Sequence, residues 1–176
     1  LIQMRIRTSA WMNLPGFMGL PDEDLTATIR KEGFPKELWP SQMLLGKEGL
    51  FQGKSGLIQM PTSAGKTRSV EIILRGTLMG RKIRIAVIVA PFRALCHEIA
   101  TSLRQAFRGE DVKVNELTDA LQLDFLDEIA ALFGDASVSS QGILILTPEK
   151  LLYVLRQRPD LVRSIGLVVY DEGHQF

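Results

Sequence analysis

The 176 residues carry 21 Lys and Arg against 20 Asp and Glu, with 45% hydrophobic and 23% charged residues. This composition excludes disorder as the main state and fits one soluble domain with a proper core, and the near-zero net charge does not advertise nucleic-acid binding, so any such binding must lie in local sites. The single cysteine, Cys96, excludes an internal disulfide, and the longest apolar run, 85–92, falls far short of the roughly 20 residues a membrane helix needs. Residues 1–12 lack the apolar stretch of a signal peptide, so an intracellular protein is expected, cytoplasmic or nuclear, with no membrane partner.

In chain order, 1–20 reads as a poorly patterned lead broken at Leu14-Pro15-Gly16. Pro21 followed by Asp22, Glu23 and Asp24 reads as a helix start, with acids where the helix dipole favours them, and Gly33 as its stop. A Pro-punctuated turn over 34–41 leads to a short helix over 42–50. From Gly56 the pattern becomes strand, loop and helix in repetition. Strands are predicted over 56–60, 83–90, 112–116, 143–146 and 167–170. Helices are predicted over 67–79 (Val70, Ile73, Leu74, Leu78), 92–107 (Phe92, Leu95, Ile99, Leu103, Phe107), 120–133 and 149–157. This alternation predicts an α/β fold, a parallel sheet with helices on both faces, and places chemistry at the carboxyl ends of the strands.

Two motifs stand at such ends. Met60-Pro61-Thr62-Ser63-Ala64-Gly65-Lys66-Thr67 joins a predicted strand to a helix. Gly65 lets the backbone approach a phosphate, the helix N-terminus cradles it, Lys66 reaches the β- and γ-phosphates, and the Thr67 hydroxyl can ligate Mg²⁺. The strict phosphate-loop pattern asks for glycine at Met60, so context carries this reading. A nearby Gly53-Lys54-Ser55 is a decoy, since no helix follows it. The second motif is Asp171-Glu172 after an apolar strand, where a nucleotide-bound Mg²⁺ would balance two carboxylates that are otherwise costly at a strand end.

Together with Gly173-His174, these residues resemble the DExH-box group of superfamily-two helicases, whose first lobe is a RecA-like P-loop NTPase domain. Ala90-Pro91-Phe92-Arg93-Ala94-Leu95 is similar to motif Ia, Thr147-Pro148-Glu149-Lys150 to motif Ib, and Leu38-Trp39-Pro40-Ser41-Gln42 to the segment whose glutamine reads adenine. The spelling looks most like the Ski-type and archaeal repair branch. Departures are Leu117-Thr118-Asp119, which lacks an expected glycine, the following helix over 120–133, and Gly173 inside the acidic box.

The resemblance implies ATP and Mg²⁺ as ligands. Gln42 would meet the adenine edge, and Thr62, Ser63, Ala64, Gly65, Lys66 and Thr67 would wrap the phosphates. Asp171 with Thr67 would hold the metal, Glu172 would activate water, and His174 would couple hydrolysis to a second RecA-like lobe. Pro91, Phe92, Arg93, Thr147 and Pro148 would touch phosphates of RNA or DNA, single-stranded or a duplex with a single-stranded end, without reading sequence. Arg93 also suits a solvated helix face, and Thr147-Pro148 suits a helix cap; the latter two roles are compatible. Cys96 is read as core and His97 as a helix-face residue. On this reading 1–33 is a lead with one helix, and 34–176 is a helicase ATP-binding lobe that breaks off after motif II, before a motif III strand. Such a piece alone is expected to bind ATP weakly and hydrolyse it barely, because the second lobe supplies the arginines. The alternatives are a P-loop kinase or transferase for a small molecule, and a translocase subunit of a restriction or defence complex that does not separate strands.

Overall fold

The computed structural model describes residues 6–61, 65–117, 141–157 and 159–173. The chain divides into two compact units, Leu1–Lys82 and Ile83–Phe176. The expected helix over 120–133, with Thr118 and Asp119 before it, lies outside the described residues.

The first unit holds helices α1 (Ala10–Met18), α2 (Asp22–Arg30), α3 (Pro40–Lys47) and α4 (Lys66–Met79), with a 3₁₀ turn at Leu50–Gln52. Helix α1 corrects the sequence reading of an unpatterned lead, for it runs straight through Pro15. Ala10, Leu14 and Met18 recur every four residues and are wholly buried. Burying two large side chains at about 1.5–3 kcal/mol each offsets the roughly 3 kcal/mol that an interior proline costs. Gly19, at φ +66°, closes the helix, and its N–H and that of Leu20 both donate to the Pro15 carbonyl. Helix α2 begins and ends as its acidic first turn and Gly33 predict, with Pro21 just before it.

Helix α4 is buried more widely than the predicted stripe. Besides Ile73, Leu74 and Leu78, it buries Ser69, Glu71, Ile72, Arg75, Gly76 and Thr77. Two charges survive there because they meet: Arg75 Nε donates to Glu71 Oε1 at 3.0 Å, and Arg68 also donates to that carboxylate. The Arg75 guanidinium lies 5.5 Å from the Phe34 ring centroid. Gly76 makes the closest approach, since a Cβ there would fall 2.0 Å from the Phe51 carbonyl oxygen.

The predicted strand over 56–60 does not form. These residues pair with no strand among the described residues, and Leu57 is 99% exposed. An apolar run favours extended backbone but supplies no neighbour for its hydrogen bonds. The Gly53-Lys54-Ser55 decoy is a turn, as expected, with Gly53 at φ +90°.

The second unit is a four-stranded parallel sheet in the order β2-β3-β1-β4, built from β1 (Ile85–Val89), β2 (Val112–Glu116), β3 (Gln141–Leu146) and β4 (Ile165–Tyr170). It carries helices α5 (Arg93–Ala106), α6 (Pro148–Gln157) and the short α7 (Pro159–Val162). Strand β1 pairs on both sides and is buried throughout, which is why its sequence is unbroken Ile-Ala-Val-Ile-Val. Alternate residues face opposite ways. Ile85, Val87, Val89, Leu117, Leu144 and Leu146 share one face and pack with Leu151 and Val154 of α6. Glu116 lies on the other face and meets His97 and Arg104 of α5. Helices therefore cover both faces, as the alternation predicts.

The buried stripe of α5 differs from the predicted one. Cys96, Ala100 and Leu103 are buried, with Phe107 just past the end, whereas Phe92 is 60% exposed. Cys96 is core, as expected, and small Ala100 is buried beside it, a choice that a search for large apolar residues overlooks. Burial, together with the Glu116 charge, pushes the Cys96 thiol above its ordinary pKa, consistent with a packing role.

Two glycines in the first unit test this packing. Gly76→Ala must displace backbone and is expected to cost about 1–3 kcal/mol, whereas Gly16→Ala, with open space around it, should gain about 0.5–1 kcal/mol from helix propensity. Urea midpoints of the two variants check this; an unchanged Gly76→Ala midpoint contradicts the close approach.

Candidate functional site

The first unit contributes a helix N-terminus and what surrounds it. Gly65 stands immediately before α4 at φ +81°, a left-handed conformation that suits glycine. Its carbonyl accepts both the N–H and the hydroxyl of Ser69, at 2.9 and 3.0 Å, which fixes the first turn. Lys66 and Thr67 then open a 14-residue helix, and Thr67 is exposed. The first N–H groups of such a helix have no partner within it, and the helix dipole favours an anion there. Thr62, Ser63 and Ala64 lie outside the described residues.

Gln42 comes to the same place. It is the third residue of α3, buried to 2% exposure, and its Oε1 accepts the Trp39 N–H at 3.0 Å. That bond closes half a capping box and fixes the amide. A Cβ on Gly65 would lie 3.2 Å from Gln42 Nε2 and 3.3 Å from the Trp39 ring. The structure thus brings Gln42, Trp39, Gly65 and Lys66 together within one unit. Trp39 has no role in the sequence reading; the only signal for it was an aromatic residue three positions before Gln42.

The second unit contributes the carboxyl edge of its sheet. Because the strands are parallel, the segments after β3, β1 and β4 emerge side by side. After β1, Pro91 and the exposed Phe92 lead into Arg93 at the start of α5. After β3, the buried Thr147 precedes Pro148, the first residue of α6, and accepts the Leu151 N–H on its carbonyl. Glu149 is held below the ordinary carboxylate range by hydrogen bonds from its own N–H and the Thr147 hydroxyl. Thr147 therefore stands at the N-cap position, its carbonyl taking the first helical bond and its hydroxyl turned to Glu149.

After β4, the Asp171 N–H donates to the Val89 carbonyl at 2.8 Å, fastening the acidic pair to the central strand. Asp171 Oδ1 accepts the Glu172 N–H at 3.1 Å, and Glu172 sits at φ +52°. A non-glycine residue in that region is uncommon and marks a constrained turn. His174 lies outside the described residues. His97 and Glu116, also near this edge, approach to 3.1 Å, with Arg104 at 3.8 Å from the same carboxylate. Sequence reading missed this cluster because its members come from different elements.

A family model for the DEAD/DEAH box helicase matches residues 39–176. The chain is 30% identical over 169 residues to Hachiman protein HamB of Bacillus cereus, covering 94% of this chain and 14% of that protein. It is 29% identical over 153 residues to ATP-dependent DNA helicase Hel308 of Pyrobaculum calidifontis, covering 87% and 20%. It is 27% identical over 144 residues to Antiviral helicase SKI2 of Saccharomyces cerevisiae, covering 80% and 10%. The chain spans about a tenth to a fifth of the length of these relatives. Among the described residues, no helix is long and apolar enough to cross a membrane.

The left-handed turn at Glu172 gives a test by stability. Glu172→Gly is expected to hold or raise stability by up to about 1 kcal/mol, and β-branched Glu172→Val to lower it by about 1–2 kcal/mol. Denaturant midpoints that ranked the two the other way would contradict the turn.

Proposed function

The chain belongs to the DEAD/DEAH box helicase family, and from that premise we propose that it is the first motor lobe of an ATP-dependent nucleic-acid helicase or translocase. The observation that carries the reading is the meeting of Gly65 and Lys66, at the N-terminus of α4, with the buried amide of Gln42. A triphosphate binds the helix end with Lys66 on its β- and γ-phosphates, and the base lies toward Gln42. Thr62, Ser63 and Ala64 complete the phosphate loop. We take 34–176 as the ATP-binding lobe and 1–33 as a lead before it.

The family resemblance assigns Mg²⁺ to Thr67 and Asp171. The Thr67 hydroxyl and the Asp171 carboxylate are hard oxygens, and Mg²⁺ in such sites takes one or two protein ligands beside the phosphates. When bound, it neutralises phosphate charge. Glu172 accepts a proton from the attacking water, held in place by its constrained turn, and His174 passes the state of the site to a second lobe. Pro91, Phe92, Arg93, Thr147 and Pro148 line the carboxyl edge and hold one strand by its phosphates. A few loop donors suffice there, which reconciles nucleic-acid binding with a net charge of +1. Several relatives are named as DNA helicases, so single-stranded DNA is the first substrate to test.

ATP turnover by the intact protein, with and without single-stranded DNA or RNA, tests the reading. Turnover is expected to rise with nucleic acid. Glu172→Gln should lower kcat by about 100-fold or more with ATP affinity nearly unchanged. Lys66→Ala should weaken ATP binding itself. Full turnover in either variant would overturn these assignments.

A further inference from the structure

Helix α5 carries its exposed cations in one row. Arg93, His97, Thr101 and Arg104 follow at steps of four, four and three residues, and all are exposed. Steps of three and four keep side chains on one face of a helix, here within an arc of about 80°. Arg108 comes four residues later, in the turn beyond the helix, and is exposed too. The acid of α5, Glu98, stands about 100° round the helix from His97 and so lies off the row. From Arg93 to Arg108 there are three arginines against one glutamate, although the whole chain is almost neutral.

The edge of the sheet braces this row. Strand β2 is an outer strand, and its Glu116 side chain, 12% exposed, meets His97 Nδ1 at 3.1 Å and Arg104 Nη1 at 3.8 Å. Arg104 Nε also donates to the Val114 carbonyl at 3.3 Å. The flank of α5 that carries the row therefore leans over the β2 rim. Arg104 Nη2 has no partner among the described residues, in a side chain 47% exposed. A guanidinium anchored through its other nitrogens loses less freedom on meeting a phosphate than a swinging side chain does.

Because β1 and β2 are parallel, the crossover between them carries α5 back from the carboxyl edge. The row thus begins at Arg93, on that edge, and leads about 20 Å away from it. Spaced cations with no apolar member among them fit a polyanion. We propose that the phosphate backbone of a single nucleic-acid strand continues from the carboxyl edge along α5, past Thr101 and Arg104 to Arg108. The inference rests on the nucleic-acid reading above and extends the bound strand beyond the segments that follow the strands. Contacts to phosphates add affinity and salt dependence without sequence preference. They engage only a strand long enough to leave the edge.

The experiment follows anisotropy of labelled single strands of about 6 and about 20 nucleotides with the intact protein across a salt series. Arg104→Gln combined with Arg108→Gln should weaken the long strand roughly 10- to 50-fold at about 0.1 M salt. It should also lower the salt slope by about 1.4, the share of two phosphate contacts on a single strand. The short strand should keep its affinity and slope. Lys113→Gln, which removes an exposed cation from the opposite face of β2, should change neither strand. Arg104→Lys combined with Arg108→Lys keeps the charge and should retain most of the long-strand affinity, which separates lost charge from lost folding. Long-strand binding unchanged in the glutamine pair would overturn this inference alone. Equal losses on both strands, or a lysine pair as weak as the glutamine pair, would also overturn it. Failure of the wild type to bind either strand would overturn the nucleic-acid reading and this inference with it.

Discussion

Parallel pairing of β1 with both β3 and β4 is the constraint on which the second unit depends. A strand flanked on both sides and covered on both faces has no polar surface to offer water, so its sequence is apolar without interruption. Parallel strands also deliver all their carboxyl ends to one edge. Polar and charged groups that follow them are thereby gathered from segments far apart in sequence. Asp171 shows the consequence most plainly, because its N–H is bound to the carbonyl of Val89 in the central strand. The acidic turn is thereby tied to the sheet.

The first unit works by a different device. Its helices approach closely at glycine, and α4 carries its buried charges as ion pairs within itself. Gly76 lets α4 lie against the backbone of Phe51, and Glu71 neutralises Arg75 beneath it. A buried arginine without its carboxylate would cost several kcal/mol, so the pair is needed once Arg75 is buried. The Gly76 approach holds α4 against the 3₁₀ turn, and α4 carries the N-terminus that Gly65 and Lys66 open. Gln42 and Trp39 are fixed by the start of α3, where one hydrogen bond serves as helix cap and as side-chain brace.

Much of this was legible in the sequence where the signal is local. The strand at 112–116 falls where predicted, and the helices at Lys66, Arg93 and Pro148 start within one residue of their predicted starts. The family resemblance, read from Gly65-Lys66-Thr67, Asp171-Glu172 and the segments between, agrees with the family model over 39–176. Family membership also removes the small-molecule kinase alternative. Misses arose where the deciding contact is distant. Pro15 looked like a breaker because its helix is stabilised by burial elsewhere in the unit, and 56–60 looked like a strand because its apolar residues say nothing of a pairing partner. The α5 stripe was misjudged because Ala100 packs by being small, whereas Cys96 is core as expected. Trp39 and Glu172 owe their interest to a neighbour across the fold and to a backbone angle, and a residue string records neither.

The central proposal is that this lobe binds ATP and one nucleic-acid strand in one coupled cycle. Its most direct test is the affinity of the intact protein for a labelled single-stranded oligonucleotide, measured by anisotropy with and without a non-hydrolysable ATP analogue across a salt series. The account predicts at least a several-fold change in affinity on adding the analogue. It also predicts a shallow salt slope, which Arg93→Ala reduces by about 0.7, the share of one phosphate contact on a single strand. Equal affinity with and without the nucleotide, or a slope that Arg93→Ala leaves unchanged, would contradict it.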